Sequence, residues 1–183
     1  MSTALGGHAL TGTYTLDPAR TRVGFIARHT IGPAVRGSFE RLDGAGRLDA
    51  DDVSGSRVDL TIDAASIRTG NERRDAHLRA KFLDAEQHRA ISFTSTAAEQ
   101  RENGGYRVTG DLTIRGLPTS LTLDFEPAVP GDSPTDDVRL TASHVVARHD
   151  LGVVWSSVWD RSVAEQVTLQ LEVALTADGA SKA

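Results

Sequence analysis

The chain has 183 residues, of which 39% are hydrophobic and 25% charged; its net charge is −5 and it contains no cysteine. This composition supports one folded domain with a core, at a length that suits a single all-β barrel or sandwich. The lack of cysteine excludes a disulfide scaffold, a thiolate nucleophile and a cysteine zinc site, and the acidic balance argues against a general nucleic-acid binder.

The opening MSTALGGHAL has no basic n-region and no apolar h-region. For a chain complete as written, the expectation is no signal peptide and a soluble cytoplasmic protein. No window reaches the apolar length of a transmembrane helix. Residues 1–12 read as an N-terminal extension, 13–176 as the folded barrel domain and 177–183 as a loose tail.

From there period-2 alternation dominates, the pattern of strands with one buried and one wetted face. TRVGFIARH sets Val23, Phe25, Ala27 and His29 on one face and Arg22 and Arg28 on the other. VRGSFE opposes Val35, Gly37 and Phe39 to Arg36, Ser38 and Glu40. RVDLTID opposes Val58, Leu60 and Ile62 to Arg57, Asp59 and Thr61.

Between this strand and ISFTST the spacing becomes helical. Thr69-Gly70-Asn71-Glu72 fits a capping box, with Asn71 as the alternative N-cap. Arg74, Leu78 and Phe82 then recur every four residues, His77 and Lys81 share their face, and Asp75 and Arg79 are spaced for an (i, i+4) ion pair. Such a helix suits the mouth of a barrel, with apolar residues that seal and cations that meet an anion. From the residues alone, a plain connection whose Phe82 and Leu83 join the core, with solvated charges, is the more ordinary reading.

Alternation returns in ISFTST, YRVTGDLTIRG, LTLDFE and VRLTASHVVAR. It is cleanest in the last strand, where Val167, Leu169, Leu171, Val173 and Leu175 oppose Thr168, Gln170, Glu172 and Ala174. Turn signals separate the runs, among them Asn103-Gly104-Gly105, Gly116-Leu117-Pro118 and Pro130-Gly131-Asp132. The sum is an all-β, antiparallel chain of roughly eight strands, enough to close a sheet and remove its edges. A barrel of about that size either fills with its own side chains or holds one small ligand. The inward Ala27, Gly37, Gly110 and Ala142 point to a hollow, or else mark bends and bulges.

The stretches YTLDPARTRVGFIARH, GSF, IDAASIRTGNERRDAHLRAKFLDA, ISFTST, GDLTIRG and RHDLG, in this order and spacing, resemble the YceI-like family, lipocalin-like bacterial polyisoprenoid-binding proteins. The resemblance runs from about Tyr14 to Leu175. It implies a closed eight-stranded antiparallel lipocalin-like barrel with one short helix between its middle strands. It also implies an amphiphilic lipid inside, an isoprenoid chain such as a polyprenyl phosphate or quinone, or a fatty amphiphile. The chain departs from the family where His88-Arg89 replaces an aromatic-Pro pair, and in lacking the export signal many relatives carry.

On this reading the tail wall comprises Val23, Phe25, Phe39, Phe93, Leu112, Ile114, Leu123, Phe125, Leu169 and Leu171, with Leu78, Phe82 and Trp155 near the mouth. For a polar head group the residues are His29, Arg74, His77 and Arg148, the last either facing an anion or paired with a carboxylate such as Asp75 or Asp150. No catalytic residue, cofactor or metal is expected. The partner is a long-chain isoprenoid or similar lipid, carried or sequestered without catalysis, and a homodimer is plausible. The rival readings are a metal-dependent enzyme built on rim histidines, although no HxH or HExxH pair is present, and an oligomeric stress-linked protein with a filled barrel.

Overall fold

A computed structural model describes residues 11–130, 137–152 and 163–178. Among these residues, twelve hydrogen-bonded segments join end to end into eight long antiparallel strands. Strand β1 comprises Gly12–Leu16 and Arg22–His29, β2 Val35–Phe39 and Leu42–Leu48, and β3 Arg57–Asp63 and Ile67–Arg68. Then follow β4 (Ala90–Gln100), β5 (Tyr106–Ile114), β6 (Leu117–Phe125, continuing at Val129–Pro130), β7 (Asp137–Ala147) and β8 (Val163–Ala177). Each strand pairs with the next, and β8 pairs with both β7 and β1, which closes the barrel.

The breaks inside the long strands have local causes. In β1 the Asp17 carboxylate accepts hydrogen bonds from Ala19 N (2.9 Å) and Arg20 Nε (2.6 Å), making a tight turn. The Arg20 guanidinium holds the Asp17 carboxyl below its ordinary range. This turn lies against β8: Asp17 N donates to Ala174 O, and Ala174 N donates to Thr21 Oγ1. Ala174, outward by alternation, is therefore only 3% exposed, a second buried face that the period-2 pattern did not indicate.

One hairpin differs from expectation in detail. The β5–β6 turn is Arg115-Gly116, both with positive φ (53° and 72°), so Leu117 and Pro118 already belong to β6, paired with Ile114 and Thr113. The Asn103-Gly104-Gly105 turn joins β4 to β5 as anticipated, with Asn103 Oδ1 accepting from Gly105 N. The Pro130-Gly131-Asp132 turn falls largely outside the described residues.

Because all strands are antiparallel, their connections sort to two ends. One end holds the β1–β2 hairpin, the β3–β4 connection, the β5–β6 turn and the start of the β7–β8 connection. The other holds the β2–β3, β4–β5 and β6–β7 connections and both chain ends of the barrel. The only α-helix among the described residues, α1 (Glu72–His77), sits at the first end and runs into a π-helical turn, Leu78–Phe82, closed by Leu83 N donating to Leu78 O. The extra residue in that turn brings both Phe82 (6% exposed) and Leu83 (8%) into the core, which a regular four-residue spacing would not do.

Candidate functional site

The barrel is hollow. A cavity of about 860 Å³ runs from the helix end, where His29, Val35 and Arg148 line it, toward the opposite end at Asp49, Ala50 and Val53. Its wall is the inward face that alternation assigns: Val23, Phe25, Phe39, Phe93, Leu112, Ile114, Leu123, Phe125, Leu169 and Leu171 all line it, joined at the mouth by Leu78 and Phe82. Trp155 lies outside the described residues. Many of these apolar side chains are only partly buried, including Val23, Phe25, Phe39, Leu112 and Leu169, because they face empty space rather than one another. The alternative of a barrel filled by its own side chains therefore fails.

The small inward residues contribute to the hollow indirectly. A Cβ on Gly37 would collide with the ring of Phe25, its cross-strand partner, and one on Gly110 would lie 2.6 Å from Phe93 Cζ. Both glycines thus let an aromatic ring lie flat along the wall instead of standing in the lumen. Gly37→Ala should push the Phe25 ring inward. A long-chain probe should then bind several-fold more weakly while thermal stability changes by less than about 1 kcal/mol, since the ring has space to move into; probe titration beside a melting curve measures both.

Two buried hydroxyls of the interior are satisfied by the backbone. Ser95 Oγ accepts from Val58 N (2.8 Å) and Ser56 Oγ from Asp49 N (3.0 Å), so these buried hydroxyls already have backbone partners. The basic groups of the lining collect at the mouth, where Arg73, Arg74, His77, His29 and Arg148 line the opening, while the acidic residues Asp49 and Asp59 line the cavity farther from it.

Arg74 is held there by its own helix. Asn71 caps α1, its Oδ1 accepting from Arg74 N (3.0 Å), so Asn71 and not Thr69 is the N-cap. Thr69 has another task. Its N and Oγ1 donate to Asp75 Oδ1 (2.9 and 2.5 Å), while its Oγ1 and carbonyl accept from Arg74 Nε (2.7 Å) and Nη2 (2.9 Å). Asp75 is 2% exposed beneath this turn. The expected Asp75–Arg79 ion pair does not form: burial turns Asp75 inward to Thr69, and Arg79 pairs with Glu72. His77 is exposed and packs edge-on against Phe82, ring centroids 5.6 Å apart.

Sequence reasoning did not single out Arg73, Leu140, Leu151 or Val108 for the site, yet all four line the cavity. Alternation through VRLTASH and YRVTG could have found Leu140 and Val108. Nothing in the spacing marks Arg73, which turns toward the opening with the first turn of the helix. Among the described residues no three His, Asp or Glu side chains are grouped as metal ligands would be, and no helix is long and apolar enough to cross a membrane.

The sequence profile of the YceI-like domain matches residues 14–175. The chain belongs to the YceI-like family. Among its relatives, a UPF0312 protein of Serratia proteamaculans is 33% identical over 153 residues, 80% of this chain and 79% of that protein. A UPF0312 protein of Staphylococcus aureus is 32% identical over 129 residues, 70% of this chain and 72% of the relative. Solved YceI-like and related structures share the barrel. BcnA of Burkholderia cenocepacia superposes with a TM-score of 0.78 at 20% identity, over 87% of this chain and 98% of the other. A polyisoprenoid-binding domain from Saccharophagus degradans gives 0.68 at 16% identity, over 90% and 98%. The Campylobacter jejuni YceI protein gives 0.68 at 25% identity, over 80% and 87%.

Proposed function

We propose that this YceI-like barrel binds an amphiphilic lipid of isoprenoid type, tail in the cavity and head group at the helix mouth, and sequesters or carries it without chemical change. The observation that carries this reading is the long apolar cavity whose charged lining side chains at one end are cationic. The similarity to a polyisoprenoid-binding domain supports the choice of ligand class.

The magnitudes are adequate. At about 30 Å³ for each water-sized group, a space of 860 Å³ accommodates roughly 30 heavy atoms of chain. At about 0.3 kcal/mol per atom for large ligands, that tail contributes about 9 kcal/mol, a sub-micromolar affinity. A charged head would add about 1.5–3 kcal/mol for each charge-assisted hydrogen bond. The tail therefore supplies affinity and the head sets orientation.

Mass spectrometry of lipid extracted from gently purified protein tests the ligand class; a protein that carries no chain lipid, and takes up none when offered a polyprenyl alcohol, would end the proposal. Arg74 tests the orientation. With its Nε and Nη2 anchored on Thr69, its remaining N–H groups meet an anionic head at little further entropic cost. Arg74→Glu should weaken a polyprenyl phosphate at least about tenfold, from a lost charge-assisted bond and an added repulsion, and leave the matching neutral alcohol within about twofold. Equal losses for the two ligands would remove Arg74 from the head-group site.

A further inference from the structure

Ile31 is 90% exposed at the tip of the β1–β2 hairpin, on a Gly32-Pro33 turn at the mouth end of the barrel. Leu117, 53% exposed, begins β6 at the same end. In the strand order the β1–β2 and β5–β6 connections lie on opposite sides of the ring, so the two side chains flank the opening. Single exposed aliphatics are ordinary. What distinguishes these is the charge around them.

Although the chain carries a net −5, its charge is divided along the barrel axis. The mouth connections, residues 28–36, 69–89, 115–117 and 148–152, hold nine Lys and Arg against five Asp and Glu. The far end, residues 47–57, 99–107, 124–130 and 178, holds four against eight. Arg28 and Arg36 stand exposed on the outer face of the stem that carries Ile31, and no acidic residue lies between them in the chain. An apolar tip between cations at one pole, opposite an acidic pole, is complementary to an anionic bilayer: headgroups attract the rim, the acidic end is repelled, and the opening turns toward the membrane.

We propose that the mouth rim is a docking surface for an anionic lipid bilayer, Ile31 entering the interface with Arg28 and Arg36 at the phosphate level. One or two aliphatic side chains and a few arginines give a shallow, salt-sensitive contact and not an anchor. That suits a protein that must leave again. The inference extends the lipid-carrier reading from the cavity to the surface, and the two fail separately.

Co-sedimentation with vesicles of phosphatidylcholine, with and without phosphatidylglycerol, tests it. The full chain should bind the anionic vesicles and lose them as salt rises. Each arginine contributes on the order of a fivefold change in partitioning, so Arg28→Glu with Arg36→Glu should reduce binding at least about tenfold. Ile31→Asp should do the same, and both variants should keep full uptake of an apolar probe added directly. Val129→Asp, an exposed aliphatic position at the far end (51%), should bind as the parent does. Equal binding to neutral and anionic vesicles, retention by Ile31→Asp, or no vesicle binding at all would overturn the proposal. So would salt-sensitive binding to heparin as tight as that to vesicles, which would make the rim a general polyanion surface. Loss of probe uptake by Leu112→Arg with vesicle binding intact would leave docking standing and test the cavity alone.

Discussion

Leu112→Arg should abolish uptake of an apolar fluorescent probe by the folded protein. Leu112 lies inward on β5, lines the cavity and faces Phe93 across the β4–β5 ladder. A guanidinium there keeps its water and places a hydrated charge midway along the space the tail must occupy. Removing that hydration costs several kcal/mol, a large part of the roughly 9 kcal/mol available to a tail of about 30 atoms. The hollow is what allows this variant to fold, since the arginine stands in a void and displaces no neighbour. Leu169→Trp, facing the same lumen from β8, is the uncharged companion: it narrows the space by bulk and should weaken long chains more than short ones. Unchanged uptake in both folded variants would move the ligand out of the barrel.

Asp75→Ala should destabilise the protein by about 2–4 kcal/mol, as hydrogen bonds to a charged acceptor count about 1.5–3 kcal/mol each and their loss strands buried donors. Asp75 is 2% exposed and accepts from both Thr69 N and Thr69 Oγ1. The consequence extends to function because the same Thr69 Oγ1 accepts from Arg74 Nε. Without Asp75 the turn loses its tie and Arg74 its fixed direction, so discrimination between a polyprenyl phosphate and its alcohol should fall along with stability. Denaturant unfolding and paired binding titrations measure the two effects. A stability loss below about 0.5 kcal/mol, the range of ordinary surface changes, would show that Asp75 does not hold the turn.

Together these expectations divide the site into a wall and a rim, with different physical origins. The wall follows from repetition: every second residue of eight closed strands faces one hollow, so a tail of variable chemistry can bind without any individually shaped pocket. At the rim the fixed cation comes from one excursion, the β3–β4 connection, where one carboxylate, one threonine and one arginine are fastened to each other, with His29 and Arg148 added from other strand ends. Chain affinity should therefore tolerate conservative changes at most wall positions, whereas head-group preference should be sensitive at few.

The amino-acid order alone marked eight alternating runs, their inward faces and the presence of a helix after β3, because alternation and capping are local signals read within a few residues. It placed Val23, Phe25, Leu112 and Leu169 on the inner wall for that reason. It did not mark Gly12–Leu16 or Leu42–Leu48, the latter because Gly44, Ala45 and Gly46 carry too little side chain to show alternation. It did not determine whether the inner face closes on itself or on empty space. That depends on how far apart eight strands hold their side chains, and on details such as Phe25 lying over Gly37 and Phe93 over Gly110, which no single strand contains. Nor could spacing assign the partner of Asp75. Arg79 is its neighbour at four residues along an ideal helix, but burial under the Thr69 turn decides otherwise. Ala174, hidden by the Asp17 turn on a face that alternation assigns to water, belongs to the same class. In each case the outcome was decided by contact between segments distant in the chain, a quantity that only the closed barrel supplies.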